Sequence, residues 1–291
     1  KIVEMFLESG VGVNTTDNRK KTPLILAAER GHYTTAKLLL DSKADSDLQD
    51  EDGSTSMMRA ASLNYPDLVS ELLARGAGED LTDRWEDTAL QTAEQSSSYD
   101  VIKMFSAWQH PESRNDKLLE AASEGKSRFV RGLLISGASL EHRDAGDEQA
   151  LHLAAKKGHN AVISVLLDHG ANINSRGNAD NTALISAANA GHHNTVRLIL
   201  EAGADSDLKE RDGQTALMKA TLDNHLTIAS ELVNWGADTS ITEDKGNTPL
   251  KVALFNNFNE IALVLENTEI SEDDPHIKKV LITATENGHV I

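Results

Sequence analysis

The chain contains no cysteine, which excludes disulfides, thiolate metal sites and cysteine nucleophiles. That absence suits a reduced cytosol and an oxidising exterior alike and leaves the compartment open, with the cytoplasm the favoured expectation. Aromatic residues make up only 4% of the chain, so the core has to come from Leu, Ala, Val and Ile packed between closely spaced helices. Cationic side chains are scarce: 28 Lys and Arg stand against 46 Asp and Glu, a formal charge of −18. Such a chain repels nucleic acid and anionic membrane surfaces and favours basic or polar partners. No apolar run approaches the length of a membrane span. Phosphate loops of the Gly-x-x-x-x-Gly-Lys type, His-Glu-x-x-His and Gly-x-Ser-x-Gly are also missing, so the expectation is a protein that is not an enzyme and needs no cofactor or metal.

What the chain does have is a period. From Thr182 to Asp212, Ala183, Leu184, Ala187 and Ala188 recur at helical spacing and Gly191 breaks the pattern. Val196, Leu198, Ile199 and Leu200 make a second apolar stripe, Gly203 stands where a helix would end, and polar residues follow. The unit reads as helix, turn, helix, loop. It returns at Thr22, Thr55, Thr88, Thr182, Thr215 and Thr248, with Gln149 in the threonine's place once, at steps of 33 residues within 22–88 and 149–248. A fixed step of this size marks a stacked array in which each copy contacts mainly its neighbours.

Thr22-Pro23-Leu24, Thr248-Pro249-Leu250, Ala150-Leu151-His152 with Ala154-Ala155, Gly31-His32, Gly158-His159, Gly191-His192, Gly170-Ala171 and Gly203-Ala204 resemble the ankyrin repeat over almost the whole chain. The resemblance implies an all-α fold, an α-solenoid of helix-turn-helix units with short hairpin-like fingers. About eight whole repeats and two cut ones are expected. Lys1 to Leu7 reads as a second helix without its first, and Lys279 to His289 as a first helix without its second, so the chain is expected to be a piece of a longer one.

Two repeats depart from the pattern. After Thr88 the first helix is polar, Gln109-His110-Pro111 replaces the usual Gly-Ala end, and the next unit, opening at Asp116, comes after a step of only 28. After Thr248, Asn267 to His276 replaces the same end and carries Pro275. The array therefore divides into residues 1–111 and 112–291, read as one continuous but bent stack in preference to two arrays that meet. Shifting the chain by 160 lays Thr22, Thr55 and Thr88 on Thr182, Thr215 and Thr248, and Ala44-Asp45-Ser46-Asp47-Leu48 on Ala204-Asp205-Ser206-Asp207-Leu208. This suggests a duplicated module of five repeats.

The resemblance also implies a function: a non-catalytic scaffold that grips a protein partner through the concave face and finger tips. On this reading Arg30, Arg59, Lys156, Lys157 and Lys219 form a basic inner strip on an acidic body, suited to an acidic or mixed acidic–apolar segment. Changing Arg59, Lys156 and Lys219 to Glu is expected to abolish such binding without unfolding the array. Leu63, Trp85, Asn189, Leu222 and Phe255 complete the candidate surface. Trp85 is the sharpest of them, because tryptophan is over-represented at interface hot spots. A second reading makes the chain an architectural or assembly region of a much longer protein such as a channel, toxin or surface polymer. Two temptations are set aside. His32, His159, His192, His225 and His289 share one place at the inter-helix turn and read as residues bonding the neighbouring backbone. Asp45, Asp47, Asp50 and Asp52 crowd oxygen ligands that calcium would accept, but read as turn formers.

Overall fold

The recurrent threonine is explained by what it does at a helix start. In the computed structural model, which describes Val3, Met5 and residues 9–269, Thr22, Thr55, Thr88, Thr182, Thr215 and Thr248 all have extended backbones. Each accepts through Oγ1 the amide three residues on, at 3.2–3.4 Å. Each cap satisfies one of the amides that a helix leaves unpaired at its N-terminus.

Sixteen helices follow in pairs among the described residues: α1 (Pro23–Glu29) with α2 (Tyr33–Asp41), α3 (Ser56–Ser62) with α4 (Pro66–Ala74), α5 (Ala89–Gln95) with α6 (Tyr99–Gln109), α7 (Arg114–Glu124) with α8 (Ser127–Ile135), α9 (Ala150–Lys157) with α10 (Asn160–Asp168), α11 (Ala183–Asn189) with α12 (His193–Glu201), α13 (Ala216–Leu222) with α14 (Leu226–Asn234), and α15 (Pro249–Phe255) with α16 (Asn259–Glu269). The turn inside a pair needs one left-handed residue. Gly191 supplies it at φ +76°, and Asn64 and Asn224 supply it at φ +57°, asparagine being one of the few other side chains that visits this region. The half repeat expected at Lys1–Leu7, apart from the helical Val3 and Met5, the one expected at Lys279–His289, and Pro275 lie outside the described residues.

The chain forms two compact units, divided at Asn178 and Ala179; the boundary expected between 111 and 112 falls inside the first. In the second unit, α11, α13 and α15 stack in one row and α12, α14 and α16 in another. Buried alanines, Ala187, Ala188, Ala220 and Ala253, let the first helices approach closely, while Val196, Ile199, Ile228, Leu232, Ile261 and Leu265 fill the space between rows.

The first unit starts the same way, with α1, α3 and α5 in one row and α2, α4 and α6 in the other. The row of first helices does not then continue. α5 and α7 touch slightly at most, and α8 instead lies along α4, the most extensive helix-to-helix contact among the described residues. α7 and α9 stack beyond it. The irregular stretch produces this change of direction. α6 runs to eleven residues where the earlier second helices have nine, and a 3-10 turn at Pro111–Ser113 leads straight into α7 with no finger. Arg114 fastens the corner. Its guanidinium donates to the carbonyls of Ala107 at 2.8 Å and Trp108 at 2.9 Å, and also to that of Ser136. One cation thereby serves the C-terminal ends of both α6 and α8, where helix dipoles favour positive charge.

The α8 face is built for α4. An added Cβ on Gly132 would stand 2.7 Å from Met104 Sδ and 2.9 Å from the Pro66 carbonyl, so only glycine permits this approach. Arg128 lies over the Tyr65 ring at 4.5 Å and Arg131 over the Tyr33 ring at 4.9 Å, and Arg131 meets the buried Asp67 carboxylate at 3.2 Å. Burial pushes the Asp67 carboxyl above the ordinary aspartate range, against the pull of Arg128 and Arg131.

Two outcomes test this corner. Gly132→Ala should gain helix propensity yet lose about 1–2 kcal/mol net to the collision with α4, and Gly132→Leu more, as read by urea unfolding; midpoints at or above wild type would refute the close approach. Asp67 binds its proton more readily folded than unfolded, so its contribution favours the fold at low pH and is lost as pH rises from the ordinary aspartate value through the raised one. Wild-type stability relative to Asp67→Asn should therefore fall as pH rises through that window; a constant difference would show that the carboxyl titrates alike in both states.

Candidate functional site

In the first unit the fingers owe their shape to single aspartates. Oδ1 of Asp17, Asp50, Asp83 and Asp144 accepts the amides two and four residues on, at 2.8–3.1 Å. This is the side-chain turn that Asp forms readily. Adjacent fingers are then tied by one backbone bond each. Glu51 N–H donates to Arg19 O at 2.9 Å and Arg84 N–H to Asp52 O at 3.0 Å; in the second unit Arg211 N–H donates to Ala179 O at 2.7 Å and Asp244 N–H to Asp212 O at 3.3 Å.

The crowded aspartates of the second finger are engaged in the same way. Asp45 Oδ1 takes the Asp47 amide, and Asp47 Oδ1 takes the amide of Gly78 from the next repeat. Asp50 and Asp52 turn their remaining oxygens to arginines. Among the described residues no group of His, Asp and Glu is arranged to hold a metal ion. The turn histidines His32, His159, His192 and His225 each precede a second helix. His159 Nε2 donates to the Ser123 carbonyl of the neighbouring repeat at 3.0 Å. His289 lies outside the described residues.

The arginine and lysine of the expected strip turn out to serve the fingers. Arg59 donates to Asp50 Oδ2 at 2.6 Å and Asp52 Oδ2 at 3.0 Å, with Glu29 at 3.9 Å, and the Asp50 side chain is wholly buried. It thus ties the base of a finger to α3. Lys219 meets Glu210 at 2.6 Å in the matching place on α13. Arg30, Lys156, Lys157 and Asn189 are exposed. First-helix positions four after the opening threonine, expected on the surface, are half-buried or buried (Leu26, Arg59, Ser186, Lys219, Val252), because neighbouring first helices close over them; the seventh and eighth are largely open.

Two clefts lie between finger and first helix, one in each unit, and their linings correspond at a shift of 160. The first, about 380 Å³, is lined by Ser54, Met58, Arg59, Ser62, Asp83, Trp85, Asp87, Thr92 and Gln95. The second, about 120 Å³, is lined by Gln214, Met218, Leu222, Glu243, Lys245, Asn247 and Val252. Trp85 stands 59% exposed at the first, with the Arg84 guanidinium 4.2 Å from its ring centre; Leu63 is exposed at the end of α3. Leu222 is exposed at the second, and Phe255, 78% exposed, ends α15. Sequence reasoning picked out the large apolar residues here but missed Arg84, Asp83 and Asp87. Their recurrence as finger residues hides any further role.

A family model for ankyrin repeats matches residues 1–84, 118–210 and 202–274. The chain belongs to the ankyrin repeat family. Residues 85–117, between the first two matches, hold the polar helix α5, the lengthened α6 and the fingerless turn into α7. A search of curated proteins found no match. Ankyrin repeats are generally protein–protein interaction modules and typically carry no catalysis. Among the described residues no helix is long and apolar enough to cross a membrane.

Reversing Arg59 should therefore do more than weaken binding. Arg59→Glu leaves the buried Asp50 charge unpaired and adds a third carboxylate beside Asp50 and Asp52, costing about 3–5 kcal/mol. Lys157→Glu, at an exposed position, should cost under about 0.5 kcal/mol. Equal thermal midpoints for the two variants would contradict this assignment.

Proposed function

We propose that this ankyrin array is a non-catalytic protein-recognition element, and that it binds through the finger tips and first-helix ends of each unit. The observation that supports this most is the pair of clefts at matching positions, each lined by one large exposed apolar side chain, Trp85 in the first unit and Leu222 in the second, with Leu63 and Phe255 exposed at the ends of α3 and α15. Aromatic side chains offer large contact area at low conformational cost, and a surface already set by finger bonds spends little on ordering when it binds. Arg30, Lys156, Lys157 and Asn189 extend this surface. The exposed Lys157 at the end of α9 suits an acidic or mixed acidic–apolar stretch of a partner, whereas Arg59 and Lys219 are already neutralised by Asp50, Asp52 and Glu210.

A second reading, an assembly region built from a duplicated module, draws support from bonds that repeat 160 residues apart. Asp47 Oδ1 accepts the Gly78 amide as Asp207 Oδ1 accepts that of Asp238, both at 2.9 Å. Gln49 Nε2 donates to Thr82 O as Lys209 Nζ donates to Thr242 O. The lengthened α6 has its counterpart in α16, also eleven residues.

The full chain and its Trp85→Ala/Phe255→Ala variant, used side by side as cross-linking baits, test the first reading. Partners captured by the wild type should be lost from the variant, each deletion weakening binding by about 1–2 kcal/mol. Partners held equally by both would refute recognition at these clefts. The second reading instead expects concentration-dependent self-association in sedimentation, unchanged in the variant.

A further inference from the structure

The first cleft differs from its counterpart in charge and in the character of its rim, and the difference specifies a ligand. Four carboxylates, those of Asp50, Asp52, Asp83 and Asp87, surround or line it against two guanidiniums, Arg59 and Arg84. Both guanidiniums are engaged: Arg59 with Asp50 and Asp52, Arg84 with Asp52 and the Trp85 ring. Asp83 and Asp87 have no cation of their own among the ion pairs of the described residues, so the excess negative charge falls on the two carboxylates that line the opening. Trp85 stands beside them, more than half exposed, and its indole already attracts one guanidinium. The floor is Met58, a polarizable and unbranched side chain.

In the second unit, Lys245 occupies the place of Trp85 and Asn247 that of Asp87, while Glu210 is paired with Lys219. That cleft is smaller, and its lining sets one carboxylate, Glu243, against one cation, Lys245, where the first cleft's lining sets Asp83 and Asp87 against Arg59; the exposed indole and the second lining carboxylate belong to the first unit alone. It is not a property of the repeat as such.

Resting on the recognition reading above, we propose that the first cleft takes a basic peptide segment, with an arginine or lysine side chain laid along Trp85 and Met58 and its charged head at Asp83 and Asp87. The pieces fit physically. A long cationic side chain has an apolar stem for the Met58 floor and the indole face. Cation–π attraction and the unmatched carboxylates both act on its head. A net charge of −18 draws such a segment from a distance. This is the opposite sign of ligand from the one that a basic inner strip would select.

The test measures fluorescence anisotropy of three labelled synthetic peptides of equal length, arginine–glycine, glutamate–glycine and leucine–serine, against the full chain. Two variants accompany it. Trp85→Ala removes an exposed ring. Asp83→Asn/Asp87→Asn removes the charge, while the carboxamide that replaces the Asp83 carboxylate keeps an oxygen to accept the finger amides, so folding is preserved; circular dichroism melts confirm this. The arginine peptide should bind the wild type, more weakly as salt is added, and lose about tenfold affinity or more in each variant, equivalent to about 1.4 kcal/mol. Binding of the arginine peptide that ignores both variants would overturn the proposal, since attraction to the whole acidic chain would then explain it. A leucine or glutamate peptide that depends on Trp85, with no arginine binding, would overturn the basic ligand but leave recognition at the cleft standing. If no peptide responds to any variant, the basic-segment proposal falls, and the cross-linking comparison decides separately whether the clefts recognise a folded partner.

Discussion

A seven-residue helix cannot hold itself together in water, because the cost of nucleation is spread over too few hydrogen bonds. Six of the eight first helices among the described residues have that length. Each persists because its N-terminus is capped by its own threonine and its alanine face is closed by a neighbouring copy. The same dependence explains why a cap so small is kept buried: Thr22, Thr55, Thr182 and Thr215 are almost inaccessible, and a donor left unpaired there costs about 1–3 kcal/mol. Local chemistry and stacking are therefore not separate contributions. The cap makes a helix stiff enough to stack, and the stack makes the cap worth having.

The corner in the first unit shows what happens when that logic is interrupted. With no finger and at most a slight α5–α7 contact to continue the row, the α7–α8 pair finds its neighbours elsewhere, and the replacement interface carries charge. Asp67, buried in α4, is offset by two arginines that also lie on tyrosine rings. In the second unit the corresponding residue on α14 is Thr227, and it is exposed. The buried carboxylate thus lies under a cationic helix, with Arg128 and Arg131 of α8 beside it. This is the pattern expected if the desolvation of Asp67 is sustained only by its partners.

Much of this was legible in the sequence because it is periodic. The threonines, the turn glycines and the alanine faces repeat every 33 residues, and their roles follow from local geometry alone. The short step after Thr88 and Pro111 was also visible as an irregularity. Its outcome was not, since the direction taken by α8 depends on Gly132, Arg114 and Asp67, three residues at unrelated places in the repeat that meet only in three dimensions. At the candidate site, Trp85, Leu222 and Phe255 could be found because they break the polarity expected at their positions. Asp83 and Asp87 could not, because an aspartate in a finger already has a sufficient reason to be there.

The cations show most clearly why counting charges falls short of assigning them. Read along the chain, Arg59 and Lys219 are basic residues at surface positions of a helix. Once the finger folds back, each lies against a carboxylate that belongs to the finger's own base, and in the case of Asp50 that carboxylate has no access to water. Removing it from solvent is tolerable only with Arg59 in place, so the arginine's charge is committed before any partner arrives. What meets a partner is the residue of this internal pairing: two carboxylates, Asp83 and Asp87, at the mouth of the first cleft, and one carboxylate beside one lysine, Glu243 and Lys245, at the second. The electrostatic face of an acidic protein is thus set less by its composition than by which charges its own fold has already claimed.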